Sequence, residues 1–393
     1  MAGLRGAVSQ SSETHLNVPD IAVLADKYKK GARFTKVLTQ LMKRKRILHS
    51  PEYKSQERRP RGQATTIAHP TSGTYSSSDE TLEFVDASFV TPGDLLAFPA
   101  VNDMGRVRQV NSATQVVVTR GLGATAQSLP HGTEVQRLVR VEAEGYTIGS
   151  AFTSGTDHIV NYIASQSTPA EWTDYQMKQA SYIGGESQKS SRVKEDERYA
   201  ARDHMRDTNK MLLFSKKSKT TVNNRTLYTT HGLVPSIVSN IYNHAGGQAM
   251  TTTQLVRNVI GPCWRDCDST EKWGFASGKT AEDIDLLGYE KFREIKSNKD
   301  KEMGFSVSSW RTSYGVLNLV HEPAFDTSTF YSEALVIADF EFLELAIFED
   351  LDYQKDLQNK KDHVQLNEWT GKYGLDITYE EVHGFSYDLR TGT

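Results

Sequence analysis

Residues 184–217 read GGESQKSSRVKEDERYAARDHMRDTNKMLLFSKK, and this stretch decides the fold. The double glycine Gly184-Gly185 interrupts regular structure. From Glu186 to Lys217 neither proline nor glycine occurs. Roughly 30 helical residues would span about 45 Å. Val193, Ala200, Ala201, Met205 and Leu212 form a narrow apolar stripe at helical spacing. Glu195–Arg198, Asp203–Arg206 and Asp207–Lys210 are i,i+3 pairs that support such a helix. Arg198, Arg202, Arg206 and Lys210 recur every fourth residue as a basic ridge. The ridge reads either as a solvated face braced by its acids or as a surface that meets acidic groups on a neighbouring molecule.

Upstream, residues 143–183 show no clear period, whereas residues 92–142 carry the clearest β pattern in the chain. Pro92-Gly93-Asp94 opens it, and Leu95-Leu96-Ala97-Phe98 is a short strand closed by Pro99. Arg106–Val110, Val116–Thr119 and Val135–Val141 follow, separated by turn residues, which predicts a small antiparallel unit. Arg106, Arg108, Arg120, Arg137 and Arg140 would give it a basic outer face. Only Phe98 offers an aromatic stacking surface in this stretch, so a structural barrel is favoured over a nucleic-acid barrel. Residues 1–62 read as an arm with a helical candidate over Asp20–Leu48, anchored by apolar residues such as Phe34, Val37 and Leu38. The run Lys43-Arg44-Lys45-Arg46 and then Arg58, Arg59 and Arg61 make it basic. It reads either as a docked arm or as a solvated tail.

Downstream, residues 226–350 read as mixed α/β. Thr251-Thr252-Thr253 caps a helix through Leu255 and Val259. Ala281–Ile295 is a second helix, and Val316–Val320 and Ala334–Ala338 are buried strands. Asp350–Asp362 is a charged break. Val364–Trp369 and Leu375–Tyr379 then alternate as separate strands, with Gly371 and Gly374 between them.

The bulk numbers exclude more than they assert. Basic and acidic residues number 46 and 49, for a net charge of −3, which points to neither nucleic acid nor a membrane surface by itself. No apolar run approaches the roughly 20 residues of a membrane span, and Met1–Asp20 lacks the apolar core of a signal peptide. Two cysteines, Cys263 and Cys267, suit a reducing compartment. Two ligands do not make a metal site, and no cofactor motif is present. The segment Gly278-Lys279-Thr280 before a helix resembles a phosphate loop, and Ala334–Asp339 resembles its apolar-strand-then-acid partner. Gly274 is one residue too close, however, and Asp268–Trp273 reads as too polar for the strand that feeds such a loop. No catalytic residue is assigned.

The order of features, rather than any one motif, carries a resemblance. Gly93-Asp94-Leu95-Leu96-Ala97-Phe98, Val116-Val117-Val118-Thr119-Arg120-Gly121, Gly184-Gly185 with its helix, and Val382-His383-Gly384 together resemble the major capsid proteins of tailed bacteriophages. The similarity is to the Hong Kong 97-type fold, in the branch with a β insertion in the extended loop. It implies an α+β fold with an N-terminal arm (1–62) and an extended loop (63–183) carrying the insertion (about 92–142). A peripheral domain (184–225 and 345–393) would hold the spine helix, and an axial domain (226–344) would complete the subunit. It implies a non-enzymatic protein that assembles with copies of itself into pentamers and hexamers around double-stranded DNA. Scaffolding, portal and decoration proteins are implied partners. The expected location is the virion, with assembly in the bacterial cytoplasm. Arg58, Arg59, Arg61, Arg198, Arg202, Arg206 and Lys210 are the expected inter-subunit contacts. The alternatives are a tail tube or baseplate subunit, or a nucleotide-dependent enzyme built on Gly278-Lys279-Thr280.

Overall fold

A computed structural model describes residues 31–58, 62–123, 125–142, 156–173, 192–244, 250–265, 267–291, 294–296, 307–359 and 364–389. The chain divides into two compact units, one from residues 1–55 and 158–393 and one from residues 56–157. Among the described residues, no helix is long and apolar enough to cross a membrane.

The long helix is present over Arg192–Phe214, and its expected start at 186–191 lies outside the described residues. It packs on a four-stranded sheet in the order Lys45–Ile47, Leu343–Gln354, Val364–Ile377, Ala164–Thr173. The buried face differs from the expected stripe. Met205 is 48% exposed, while His204, Thr208, Asn209, Leu212 and Leu213 point inward. The middle of this face is polar because the sheet beneath it is polar there. Gln166 donates to the His204 carbonyl at 2.9 Å and accepts from the Thr208 hydroxyl at 2.7 Å. Thr168 Oγ1 lies 3.0 Å from His204 Nδ1. An apolar count cannot see such a face.

The sheet itself departs from the sequence reading in four ways. Residues 164–173, expected to be irregular loop, form an edge strand along Val364–Tyr373. Ser, Thr and Pro169 hide its period, and an edge position is where proline is tolerated in a sheet. The charged stretch from Asp350 does not break the hairpin, since Leu343–Gln354 runs through it with two register shifts. Gly371 and Gly374 do not separate two strands but lie within one of 14 residues. A Cβ at Gly374 would stand 3.0 Å from the Tyr53 hydroxyl and 3.1 Å from the Tyr162 carbonyl, so glycine lets the backbones approach. Finally, the helix expected over Asp20–Leu48 is confined, in its described part, to Arg33–Lys36 and a π-helical turn at Val37–Leu41. Lys43 takes a left-handed conformation (φ 53°), and Lys45–Ile47 continues as the parallel edge strand.

A seven-stranded mixed sheet follows the order Ile241–Asn243, Gly384–Tyr387, Leu335–Ala338, Glu271–Ala276, Val316–His321, Ser308–Arg311, Glu294–Lys296. Its central strands alternate between two apolar layers. Leu317, Leu319, Leu335 and Ile337 face the helices that carry Leu255, Val259, Cys263 and Ile284. Trp273, Phe275, Val320 and Val336 face the core that also holds Leu212, Leu213 and Leu375. Coverage on both faces explains why these strands read as continuous apolar runs. The last strand, Gly384–Tyr387, belongs to this sheet and not with the long hairpin at 345–377. The first helix is capped by Thr251 with Gln254, and its π-helical turn at Leu255–Ile260 leads into Gly261–Arg265, where Pro262 is accommodated.

One ion pair sits inside this sheet. Lys272 Nζ contacts Asp339 Oδ2 at 2.7 Å and the Val382 carbonyl at 3.0 Å, and it lies 5.3 Å from the Trp264 ring centroid. The Asp339 N–H donates to His383 Nδ1 at 3.1 Å. Complete burial first, and the charge of Lys272 second, push His383 down to about 3.

In the unit 56–157, a six-stranded antiparallel sheet runs Ala64–Thr66, Glu134–Arg140, Asp94–Phe98, Asp103–Val110, Gln115–Arg120, Thr81–Glu83. The four expected strands form, and two strands from residues 64–83 join them. The basic outer face does not form. Arg120 binds Asp103 at 2.8 Å with both side chains buried, and Arg137 binds buried Asp94 at 3.1 Å. Arg106 and Arg140 meet Glu142, and Arg108 meets Glu80. Every one of the five arginines ends on a carboxylate, which removes the argument for a nucleic-acid barrel.

Two outcomes are expected. Arg120→Met strands the Asp103 carboxylate and should cost this unit about 3–5 kcal/mol in denaturant unfolding, with part recovered by adding Asp103→Asn. The second concerns acid. His383 is neutral when folded, so the unfolded chain binds its proton first as pH falls below about 6.5. Stability from this group is full above that pH and is lost towards about pH 3. His383→Asn should flatten a plot of unfolding free energy against pH across that window by roughly 1.4 kcal/mol per pH unit.

Candidate inter-subunit surface

The described chain begins at the root of the arm, which is fixed to the body from three sides. Phe34 is fully buried, edge-on to Phe275 at 5.2 Å and 5.9 Å from Phe340. Val37 and Leu38 are buried with it, as expected of apolar anchors. The Phe34 N–H donates to Glu322 Oε2 at 2.8 Å, and the Ala324 N–H donates to Glu322 Oε1 at 3.2 Å. Burial raises the Glu322 carboxyl above its usual range, while these N–H donors and Arg33 pull it back. Arg33 Nη1 donates to the His321 carbonyl at 2.5 Å. Thr35 donates both its N–H (3.0 Å) and its hydroxyl (2.9 Å) to Asn209 Oδ1 on the spine helix. Residues 33–38 thus tie the helix to the loop that follows Val316–His321. Glu322 and Asn209 carried no signal in the sequence, because each is an isolated polar residue whose role depends on a contact over 170 residues away.

The basic ridge is only partly open. Arg198 and Lys210 are exposed, and Arg202 and Arg206 are half-buried. Arg202 lies over the Tyr199 ring, 5.5 Å from its centroid, and Arg206 pairs with Asp203 as its i,i+3 spacing predicts. At its C-terminal end the ridge reaches a cleft of about 130 Å³ beside the arm root, lined by Ala32, Arg206, Asn209, Lys210, Glu322 and Thr327. The opposite end of the helix is anchored by Glu197. Its carboxylate accepts from the Tyr353 hydroxyl and from Asn367 Nδ2, and its carbonyl accepts from Trp369 Nε1 at 3.2 Å. Arg58 is exposed just beyond the strand Glu52–Glu57, while Arg59, Arg61 and the arm before residue 31 lie outside the described residues.

The segment Gly278-Lys279-Thr280 has a structural role. The strand Glu271–Ala276 that precedes it is buried after all, because Lys272 is neutralised by Asp339. No loop separates strand from helix: Ser277 caps Gly278–Lys291, accepting from the Thr280 N–H at 3.3 Å. The Gly278 N–H donates to Asp326 at 2.8 Å, and Lys279 meets Glu333 at 3.4 Å. An incoming phosphate would face the Asp326 carboxylate at the helix start.

The family model described as "SU10 major capsid protein" matches residues 35–390. Among curated proteins none matches the sequence. Among solved structures, the capsid of a native GTA particle is similar at 6% identity over 93% of this chain and 92% of its own, with a TM-score of 0.48. A chain from Mycobacterium phage Bobi is similar at 7% identity over 96% of each chain, with a TM-score of 0.47. The capsid of Myoviridae phage XM1 is similar at 10% identity over 89% of this chain and 91% of its own, with a TM-score of 0.44. The match over residues 35–390 takes in the arm root, the spine helix, both large sheets and the six-stranded unit, and the chain therefore belongs to the SU10 major capsid protein family.

Proposed function

We propose that copies of this major capsid protein close into pentamers and hexamers, which tile the icosahedral shell of a tailed phage around its double-stranded DNA. The carrying observation is the family match across residues 35–390. In this reading the spine helix and the four-stranded sheet form the peripheral part, and the seven-stranded sheet forms the axial part that meets its copies at capsomer centres. The six-stranded unit is the insertion of the extended loop. The arm and the extended loop bridge neighbours through Arg58, Arg59 and Arg61, and the ridge Arg198, Arg202, Arg206 and Lys210 meets acidic groups of an adjacent copy. The work of the protein is assembly, with no catalytic step. The shell assembles in the bacterial cytoplasm, with scaffolding, portal and decoration proteins as partners. Contact with DNA on the inner face is non-specific, since phosphate attraction needs only cations. A near-zero net charge keeps many copies from repelling one another.

Electron microscopy of the purified full chain, with sedimentation alongside, tests this reading. Closed shells, or rings of five and six, are expected. A chain that stays monomeric when scaffolding protein is supplied would overturn it. Replacing Arg58, Arg59 and Arg61 together by Glu should abolish assembly and leave the melting temperature of the subunit unchanged. Intact shells from that variant would remove these arginines from the interface.

A further inference from the structure

The hairpin after the spine helix carries cations that no acid of its own stretch can neutralise. From Thr208 to Arg265 the chain contains no aspartate or glutamate, while Lys216, Lys217, Lys219 and Arg225 fall inside this tract. Lys219 meets Glu52 at 3.3 Å. Lys216, Lys217 and Arg225 are exposed, and none of the three meets a carboxylate among the described residues. Lys217 Nζ donates to the Val160 carbonyl at 3.2 Å, a contact that leaves its charge unneutralised. The same criterion gave the opposite result in the six-stranded sheet, where all five arginines end on carboxylates.

The strands Ser218–Val222 and Arg225–Thr229 form this hairpin, and no third strand joins them among the described residues. Its tight turn uses Asn223 and Asn224, both with positive φ, as a two-residue connection requires. Two strands alone are marginal in water, and this pair is fastened at its base. The Thr229 hydroxyl donates to the Lys216 carbonyl at 2.8 Å, and Tyr228 lies 5.5 Å from the Tyr162 ring. Residues directly opposite in an antiparallel pair share a face. Lys219 and Tyr228 therefore lie on the face held to the body, and Thr220, Leu227, Val222 and Arg225 lie on the other. Those four are all exposed. Burial first, and then the charges of Lys217 and Lys216, lower the His231 pKa, as a positive field at the hairpin base requires.

This surface suits a polyanion better than a folded protein face. Its cations are exposed and long, and hydroxyls of Thr220, Thr221 and Thr226 stand between them. Lysine, arginine and threonine side chains are the usual donors to phosphate oxygens. Five strand residues at about 3.3 Å each place the base and the turn roughly 16 Å apart. One DNA strand advances about 3.4 Å per phosphate, so Lys216 and Arg225 reach phosphates several base pairs apart.

We propose that the hairpin Ser218–Thr229 lies along the phosphate backbone of the packaged double-stranded DNA, with Lys216, Lys217 and Arg225 as its phosphate contacts. This rests on the shell reading, which supplies the DNA, and it assigns that contact to named residues. Each contact is weak and independent of sequence. A shell repeats it in every subunit, and repetition raises its combined effect.

The test is fluorescence anisotropy of a labelled 20-base-pair duplex with the full-length chain across a salt series. For the unmodified chain the logarithm of affinity should fall linearly with the logarithm of salt concentration. Lys216→Ala with Arg225→Ala should make that slope shallower by about two. Lys216→Arg with Arg225→Lys should keep it, and so should Lys279→Ala, whose charge Glu333 already meets. The cations of the arm are present in every chain, so only differences between slopes are read. An unchanged slope in the alanine variant, or an equal loss in the charge-keeping variant, would overturn the assignment. Val222→Ser with Leu227→Ser should leave both the slope and shell formation intact. Loss of shells by that variant, together with an unchanged slope in the alanine variant, would give the hairpin to a second copy instead. An unmodified chain that stays monomeric with scaffolding protein present would overturn the shell reading, while the slopes still decide whether the hairpin binds DNA.

Discussion

The subunit depends on one helix held along one sheet. Arg192–Phe214 is fastened to the four-stranded sheet and the core beside it at three levels. Glu197 binds Tyr353, Asn367 and Trp369 at one end. His204 and Thr208 interlock with Gln166 and Thr168 in the middle. Leu212 and Leu213 enter the main core at the other end. A polar middle section makes the register specific, because sliding the helix by one turn would leave buried donors and acceptors unpaired. Desolvation lowers the His204 pKa.

The arm root is tied to that helix through few residues. The arm root joins it by Thr35 to Asn209 and joins the seven-stranded sheet by Phe34 and Glu322. Displacement of the arm therefore acts on both sheets of this unit, through one buried phenyl ring and one buried carboxylate. Val382 and His383, just before the strand Gly384–Tyr387, complete the polar contacts of Lys272 and Asp339. The buried charges of Lys272 and Asp339, and of Arg120 and Asp103, are paired, which is the condition under which low-dielectric surroundings strengthen a contact rather than penalise it.

How much of this was legible follows from what each contact leaves in the sequence. Local period was readable: the helix after residue 184, the strands at 94–98, 103–110, 115–120 and 134–140, and the apolar strands at 316–321 and 335–338 all stood out. Elements defined by a distant partner were not. The edge strand Ala164–Thr173 has almost no apolar alternation and forms because Val364–Tyr373 offers it a ladder. Lys272 looked like a polar break in a strand until Asp339, 67 residues away, neutralised it. Asp94 read as a turn residue opening the β unit, yet it and Asp103 are the acids that bind Arg137 and Arg120. Of the expected contact residues, Arg206 shows its local i,i+3 pair, and Lys210 shows the open cleft beside it. What either residue meets on another copy is not encoded by its own chain position.

That last distinction bears on how a shell subunit divides its charges. A monomer gains by neutralising cations with nearby acids, as the six-stranded sheet does for Arg106, Arg108, Arg120, Arg137 and Arg140. A subunit that must recognise copies of itself needs some charges left unmatched, and it needs the opposite signs too far apart to satisfy each other internally. Exposed charges are screened beyond about 8 Å at physiological salt, so unlike charges on two copies would attract only once nearly in register. Such attraction selects orientation rather than bulk affinity. Apolar surface buried between copies would then supply the area-dependent part of such a contact after the charges have aligned it. Weak, oriented contacts of this kind allow misplaced subunits to leave before a ring closes, and they become persistent only when many are made at once.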